Sequence, residues 1–247
     1  MRLNDKTAIV TGAASGFGAG IARKFIAEGA EVIIADINAD GAQALADELG
    51  AKAHAFGGSV ADMSDVERLR DHAIARMGRV DILVNNAGVT HLPTPLEEVG
   101  EADFDRVFAV NCKAIYLMAQ VFVPIMKPVG GTILNVASTA GISPRPNLSW
   151  YNASKGWVIT ATKAMAVELA PQGMRINALC PVAGDTPLLA SFMGGDTPET
   201  RAKFLSTIPL GRFSTPEDMG NAAAFLCSDE ASMITGVCME VDGGRCI

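Results

Sequence analysis

Short, almost continuously apolar runs rich in Val and Ile alternate with longer helical patterns along most of this chain. No other feature constrains the fold as strongly. "TAIVT" (7–11) reads as a buried strand and "GFGAGIARKFIAEG" (16–29) as the helix that follows it. "EVIIAD" (31–36), a weaker "AKAHAFGGSV" (51–60), "VDILVNNAG" (80–88), "GGTILNVAS" (130–138) and "MRINALCP" (174–181) supply further strands. Between them lie "ADGAQALADELG" ending at Gly50, the amphipathic "DMSDVERLRDHAIARMG" closed by Gly78, one long helix over 104–126 and another over 149–173. Strands without a polar face need cover on both sides, and their crossover connections are right-handed. The pattern therefore predicts an α/β fold with a doubly wound parallel sheet. No linker or composition break divides residues 1–247, so a single domain is expected. Only 186–213, "TPLLASFMGGDTPETRAKFLSTIPLGRF", breaks the alternation. Its turn signals and long apolar side chains mark a short helical insertion, either a lid over a site or an ordinary surface excursion.

Composition narrows the function classes. Hydrophobic residues make up 49% of the chain and charged residues 19%, which favours a large buried core over disorder. The formal charge is −7 and no dense Lys/Arg run occurs, so nucleic acid is not an expected partner. The five cysteines are odd in number and contain no CxxC, which fits a reducing cytoplasm. His54, His72 and His91 lie far apart, with no local pattern of metal ligands. No membrane association is expected. The glycines at 12, 16 and 18 break the apolar N-terminal stretch, and "AIYLMAQVFVPIM" is too short and carries Pro124.

The chemistry begins at "TGAASGFG", between the first strand and the first helix. Gly12, Gly16 and Gly18 allow a tight turn and close approach to a ligand, and the helix N-terminus offers free N–H groups to a phosphate. Asp36 closes the second strand, where an acid in a dinucleotide fold accepts hydrogen bonds from the adenosine ribose and repels a 2′-phosphate. Capping of the next helix is its alternative role.

In "SWYNASKG", Tyr151 and Lys155 stand at i, i+4 and share one helix face. A free phenol, with a pKa of about 10, is a poor base at neutral pH. A cation about 4–5 Å away in an effective dielectric of about 20 favours the phenolate by roughly 3–4 kcal/mol, which lowers the pKa by about two to three units. Ser138 leaves a buried strand at the carboxyl edge, where α/β sheets bind ligands. It is placed either to orient a substrate oxygen or simply to start a loop.

These residues together resemble the short-chain dehydrogenase/reductase family in its classical branch, over essentially the whole chain. "TGAASGFG" matches the cofactor loop, "NNAG" (85–88) the motif beneath it, "VNCKA" carries Asn111, "NVAS" gives Ser138 and "YNASK" gives Tyr151 and Lys155. The C-terminal "PEDMGNAAAFLCSDEASMITGVCMEVDGG" looks like that of bacterial 3-oxoacyl-carrier-protein reductases and related NAD-dependent alcohol and sugar dehydrogenases. The resemblance implies a Rossmann-type fold and hydride transfer between a nicotinamide and a secondary alcohol or ketone. Asn111, Ser138, Tyr151 and Lys155 would be the catalytic set, with Tyr151 as acid/base and Asn111 holding a water that links Lys155 to solvent. The cofactor would lie on Gly12, Ser15, Gly16, Phe17, Gly18, Asp36, Ile37, Ser59, Val60, Asn86, Ala87, Gly88, Tyr151, Lys155, Pro181, Val182, Gly184 and Thr186. Three departures bear on it. Ser15 stands where relatives that use the phosphorylated cofactor often have a base, which with Asp36 argues for NAD. Ser59 replaces the usual Asp before Val60, and Val182 replaces a glycine.

The substrate pocket is expected to involve Ser138, Tyr151, His91, Trp150 and Arg145, the last held between two prolines. A guanidinium there suits a carboxylate, sulfonate or phosphate; the alternatives are a solvated loop residue or a subunit contact. The family resemblance and the apolar stretches 107–126 and "GVCMEVDGGRCI" lead to an expected homotetramer. A 3-oxoacyl-carrier-protein reductase is the nearest alternative function, and a non-catalytic dinucleotide sensor is one of another class. A hydrolase would need a G-x-S-x-G elbow, which the loop at Ser138 lacks.

Overall fold

The structure is a computed structural model that describes residues 1–247. The first half of the chain builds β1 (Thr7–Thr11), α1 (Gly16–Ala27), β2 (Glu31–Asp36), α2 (Ala39–Leu49), β3 (Ala53–Gly57), α3 (Met63–Met77) and β4 (Ile82–Asn85). Next come α4 (Glu101–Phe108), α5 (Ala114–Met126), β5 (Thr132–Val136), α6 (Ser149–Leu169) and β6 (Arg175–Pro181). The insertion forms α7 (Leu189–Met193) and α8 (Pro198–Leu205), and the chain ends with α9 (Pro216–Cys227) and β7 (Cys238–Val241). All seven strands are parallel, in the order β3-β2-β1-β4-β5-β6-β7.

Successive strand residues feed opposite faces, as a pleated strand requires. Ala8, Val10, Val32, Ile34, Val84 and Leu134 pack under α1, α2 and α9. Ile9, Ile33, Leu83, Ile133 and Ile176 pack under α3, α5 and α6. Phe25 and Phe122 anchor the two faces with no exposure, and removing a buried ring of this size costs about 3–5 kcal/mol. The strand order reverses between β1 and β4, so the carboxyl edge there opens a crevice for a ligand.

Two expectations need correction. The long helix over 104–126 is not uniform: a π-helical turn at Ala109–Lys113 separates α4 from α5. Such a turn inserts one residue into the ladder and re-aims its side chains. The helical run Glu101–Val129 also extends past "AIYLMAQVFVPIM" and contains a window apolar and long enough to span a membrane, mean hydropathy 1.5. Here it serves as a core helix, with Leu117, Met118, Phe122 and Met126 buried on the sheet.

Candidate active site

The carboxyl ends of the strands open on a cavity of about 610 Å³. One half is lined by Gly12, Ser15, Gly16 and Phe17 from the β1–α1 loop, by Asp36 and Ile37 after β2, by Ser59 and Val60 after β3, and by Asn86–Gly88 after β4. Gly12 and Gly16 take left-handed conformations, φ +61° and +55°, that favour glycine. Gly18 does not line the cavity. It lies beneath the loop, where a Cβ would stand 2.3 Å from Gly12 O and 2.5 Å from Asn86 Nδ2. That space lets Asn86 donate to Thr11 O at 2.8 Å and Gly12 O at 3.0 Å. Thr11, missed in the sequence, completes the lock: its Oγ1 accepts from the N–H groups of Asn86 and Ala87 and donates to Val84 O.

The Asp36 carboxylate is fixed at the strand end by two N–H donors, Ala14 to Oδ2 and Asn38 to Oδ1, each at 2.9 Å. Capping of α2 falls to Asn38, which accepts from Gly41 N, so the capping alternative for Asp36 is set aside. Ser59 turns inward on its own loop, its N–H donating to Asp65 and its Oγ accepting from Ala61 N.

The other half gathers Ser138, Tyr151, Lys155, Arg145, Pro181–Gly184 and Thr186. Ser138 stands two residues past β5 and accepts from Ala140 N at 3.1 Å. Gly141 lets this loop press on α6, since a Cβ there would stand 2.7 Å from Lys155 C. Tyr151 is buried, edge-on to Phe192 with ring centroids 5.0 Å apart. Lys155 Nζ donates to Val136 O at 2.8 Å and lies 5.9 Å from the Tyr151 ring centroid. Asn111 sits in the π turn, its Oδ1 accepting from Val89 N and its Nδ2 donating to Val89 O and Ser154 Oγ. Ser154 in turn donates to Tyr151 O at 2.7 Å, a positioning link that periodicity alone does not reveal. Val182 is buried with Leu189, Ile208 and Phe213 in a small core that fastens the insertion to the body. From the insertion, Leu188, Phe192 and Phe204 close the cavity wall.

Known proteins resemble the chain throughout. A family model described as Enoyl-(Acyl carrier protein) reductase matches residues 12–245. A 4-formylbenzenesulfonate dehydrogenase of Comamonas testosteroni is 51% identical, covering 99% of both chains. The chain belongs to the short-chain dehydrogenase/reductase family. A D-threitol dehydrogenase of Mycolicibacterium smegmatis, 40% identical over 100% of this chain and 95% of its own, is a further relative. In three dimensions the chain is similar to a 3-ketoacyl-(acyl-carrier-protein) reductase from Brucella melitensis complexed with NADH. That match has a TM-score of 0.95 and 49% identity over 99% of this chain and 100% of the other.

A nicotinamide dinucleotide is the cofactor of this short-chain dehydrogenase/reductase, and the cavity suits one. It runs from a fixed carboxylate at β2, past a glycine turn at a helix N-terminus, to a buried phenol and ammonium.

Three sequence expectations are corrected. His91 and Trp150 do not line the cavity. His91 is buried beside it with Nδ1 against Leu92 O, and Trp150 donates to Leu96 O and packs edge-on to Phe104. The phenol of Tyr151 is also not acidic here. Burial pushes it up to about 12, and the Ser138 side chain and the Arg145 charge oppose that more weakly. Lys155 does not lower it, because the amine is turned to Val136 O and burial pulls its own pKa down to about 8.

Proposed function

We propose that this oxidoreductase is an NAD-dependent dehydrogenase of a hydroxylated small molecule, with Tyr151 as its acid/base. The observation that carries the reading is the convergence of Ser138, Tyr151 and Lys155 on one buried end of the cavity. Ser138 Oγ orients the substrate oxygen. The Tyr151 oxygen takes the hydroxyl proton during oxidation and returns it during reduction. Lys155 holds the nicotinamide ribose, and once its amine leaves Val136 O for the cofactor its charge adds to that of the oxidised nicotinamide in making the phenol a usable base. Asn111 positions the loop at Val89 and, through Ser154, the backbone of Tyr151; its water-holding role stays a proposal. Gly12, Gly16 and the first turn of α1 hold the pyrophosphate, and Pro181, Gly184 and Thr186 face the nicotinamide end. When bound, the cofactor accepts or donates the hydride.

The choice of NAD rests on Asp36. It is the only charged side chain that the loops after β1, β2 and β3 bring to the cavity; the cavity's cations, Arg106, Arg145 and Lys155, come from α4, from the loop before α6 and from α6. A 2′-phosphate would face this carboxylate with no compensating base. NAD(H) is therefore expected to bind at least tenfold tighter than NADP(H), about 1.4 kcal/mol. Calorimetric titration of both tests this, and equal affinity would remove the role given to Asp36.

The relatives act on an aryl aldehyde, a tetritol and, in the solved structure, a 3-ketoacyl carrier, so similarity alone names no substrate. We further propose a cytoplasmic homotetramer. Phe104, Phe108 and Tyr116 on α4 and α5, with Trp157 and Val167 on α6, expose apolar surface that subunit packing would cover. Light scattering at micromolar concentration is expected to give four chains, and a monomer would contradict it.

A further inference from the structure

The cavity is lined by three cations, and their partners differ. Arg106 donates to Asp103 and to Thr90 O. Lys155 donates to Val136 O. The Arg145 guanidinium makes neither a hydrogen bond nor an ion pair, although it is half-buried and lines the cavity. The loop aims it firmly: Pro144 and Pro146 flank it, and Asn152 Nδ2 donates to its carbonyl at 2.7 Å. Its Cζ lies 4.3 Å from the centroid of the Phe204 ring.

A second guanidinium approaches the same ring, Arg245 at 5.9 Å, and its buried Nε has no partner. The nearby charge of Arg245 acts against that of Arg145. No carboxylate offsets the two. Asp242, three residues before Arg245, accepts from Gly244 N and Cys246 N instead. Two like charges on one ring, with donors unsatisfied, form a site that an anion would complete. The wall between this point and the phenol is apolar: Leu148, Leu188, Phe192 and Phe204.

We propose that Arg145, backed by Arg245, binds an anionic group at the end of the substrate remote from the reacting carbon. The substrate class is then a small alcohol or carbonyl compound with an apolar, preferably aromatic, body and a carboxylate or sulfonate opposite the reacting group. Arg145 is a specificity residue for that anion; it neither gives nor takes the substrate proton, and its charge reaches the Tyr151 phenol only weakly. The proposal rests on the dehydrogenase reading of the cavity, and its test is kept separate from turnover.

The test is calorimetric binding of 4-methylbenzoate, 4-toluenesulfonate and neutral 4-methylbenzamide to the protein saturated with NADH. The wild type is expected to bind at least one anion tenfold or more tighter than the amide, and comparison of the two anions tells which oxyanion fits. Arg145→Gln should abolish the preference and Arg145→Lys should restore part of it, with NADH affinity unchanged in both. Kinetics with 1-(4-methylphenyl)ethanol and its 4-carboxy and 4-sulfonato analogues should show the same loss as a raised KM for the anions alone. Equal binding of anion and amide by the wild type, no binding of either anion at millimolar concentration, or a preference that survives Arg145→Gln would overturn the proposal. Turnover of the neutral alcohol with NAD would meanwhile leave the dehydrogenase reading standing.

Discussion

Replacing Tyr151 with Phe should lower turnover by about 10²–10⁴-fold, the range typical of a lost acid/base group, and leave cofactor affinity near that of the wild type. The substitution removes one oxygen and keeps the ring, which is buried edge-on to Phe192 and continues to fill its place. Without the phenol, no neighbouring group is placed to take the proton. Ser138 Oγ is a very weak base that already accepts from Ala140 N, and Lys155 is turned to Val136 O. Because the phenol acts as base in oxidation, the wild-type oxidation rate should rise with pH as it deprotonates, and the reduction rate should fall. Steady-state kinetics over pH, with cofactor titration of the variant, makes the check. Near-wild-type turnover in Tyr151→Phe would exclude the assigned role.

Much of this site was legible because its residues are fixed by local geometry. Tyr151 and Lys155 meet through helix periodicity, Asp36 and Ser138 through the ends of apolar strands, and Gly12 and Gly16 through a turn that needs positive φ. What was not legible depends on tertiary burial or on a break in periodicity. The π turn at Ala109–Lys113 is invisible in an apolar helical pattern, yet it sets where Asn111 points. Thr11 and Ser154 read as ordinary strand and helix residues until their hydroxyls are seen bridging neighbouring segments. Phe192 and Phe204 come from the insertion, whose helices have no periodic signal that says which face turns inward. Sequence proximity also misplaced His91 and Trp150: the loop at His91 has no period to fix its direction, and Trp150 stands one position before Tyr151 on α6 and so on a different face of that helix. The acidity of Tyr151 was misjudged because charge was counted and burial was not.

The second large effect is a change in that acidity. Burial, only partly offset by Ser138 and the Arg145 charge, leaves the phenol at about 12, too high for a base near neutral pH. Base catalysis near neutral pH requires added positive charge from an oxidised nicotinamide and from Lys155 once its amine turns toward the cofactor. One unit charge about 5 Å away at an effective dielectric of about 20 is worth roughly 3 kcal/mol, or about two pKa units. Two such charges would bring the phenol well below its free value. The chain makes this measurable, since Tyr116 and Tyr151 are its only tyrosines. A Tyr116→Phe variant therefore reports Tyr151 alone through its phenolate absorbance. Titrated without cofactor, it should show no ionisation at pH 10, where a free tyrosine is about half ionised. With saturating NAD, phenolate should appear at least about two units lower than without it, and Lys155→Met should remove much of that shift. A Tyr151 phenol that titrates identically with and without NAD would contradict the account.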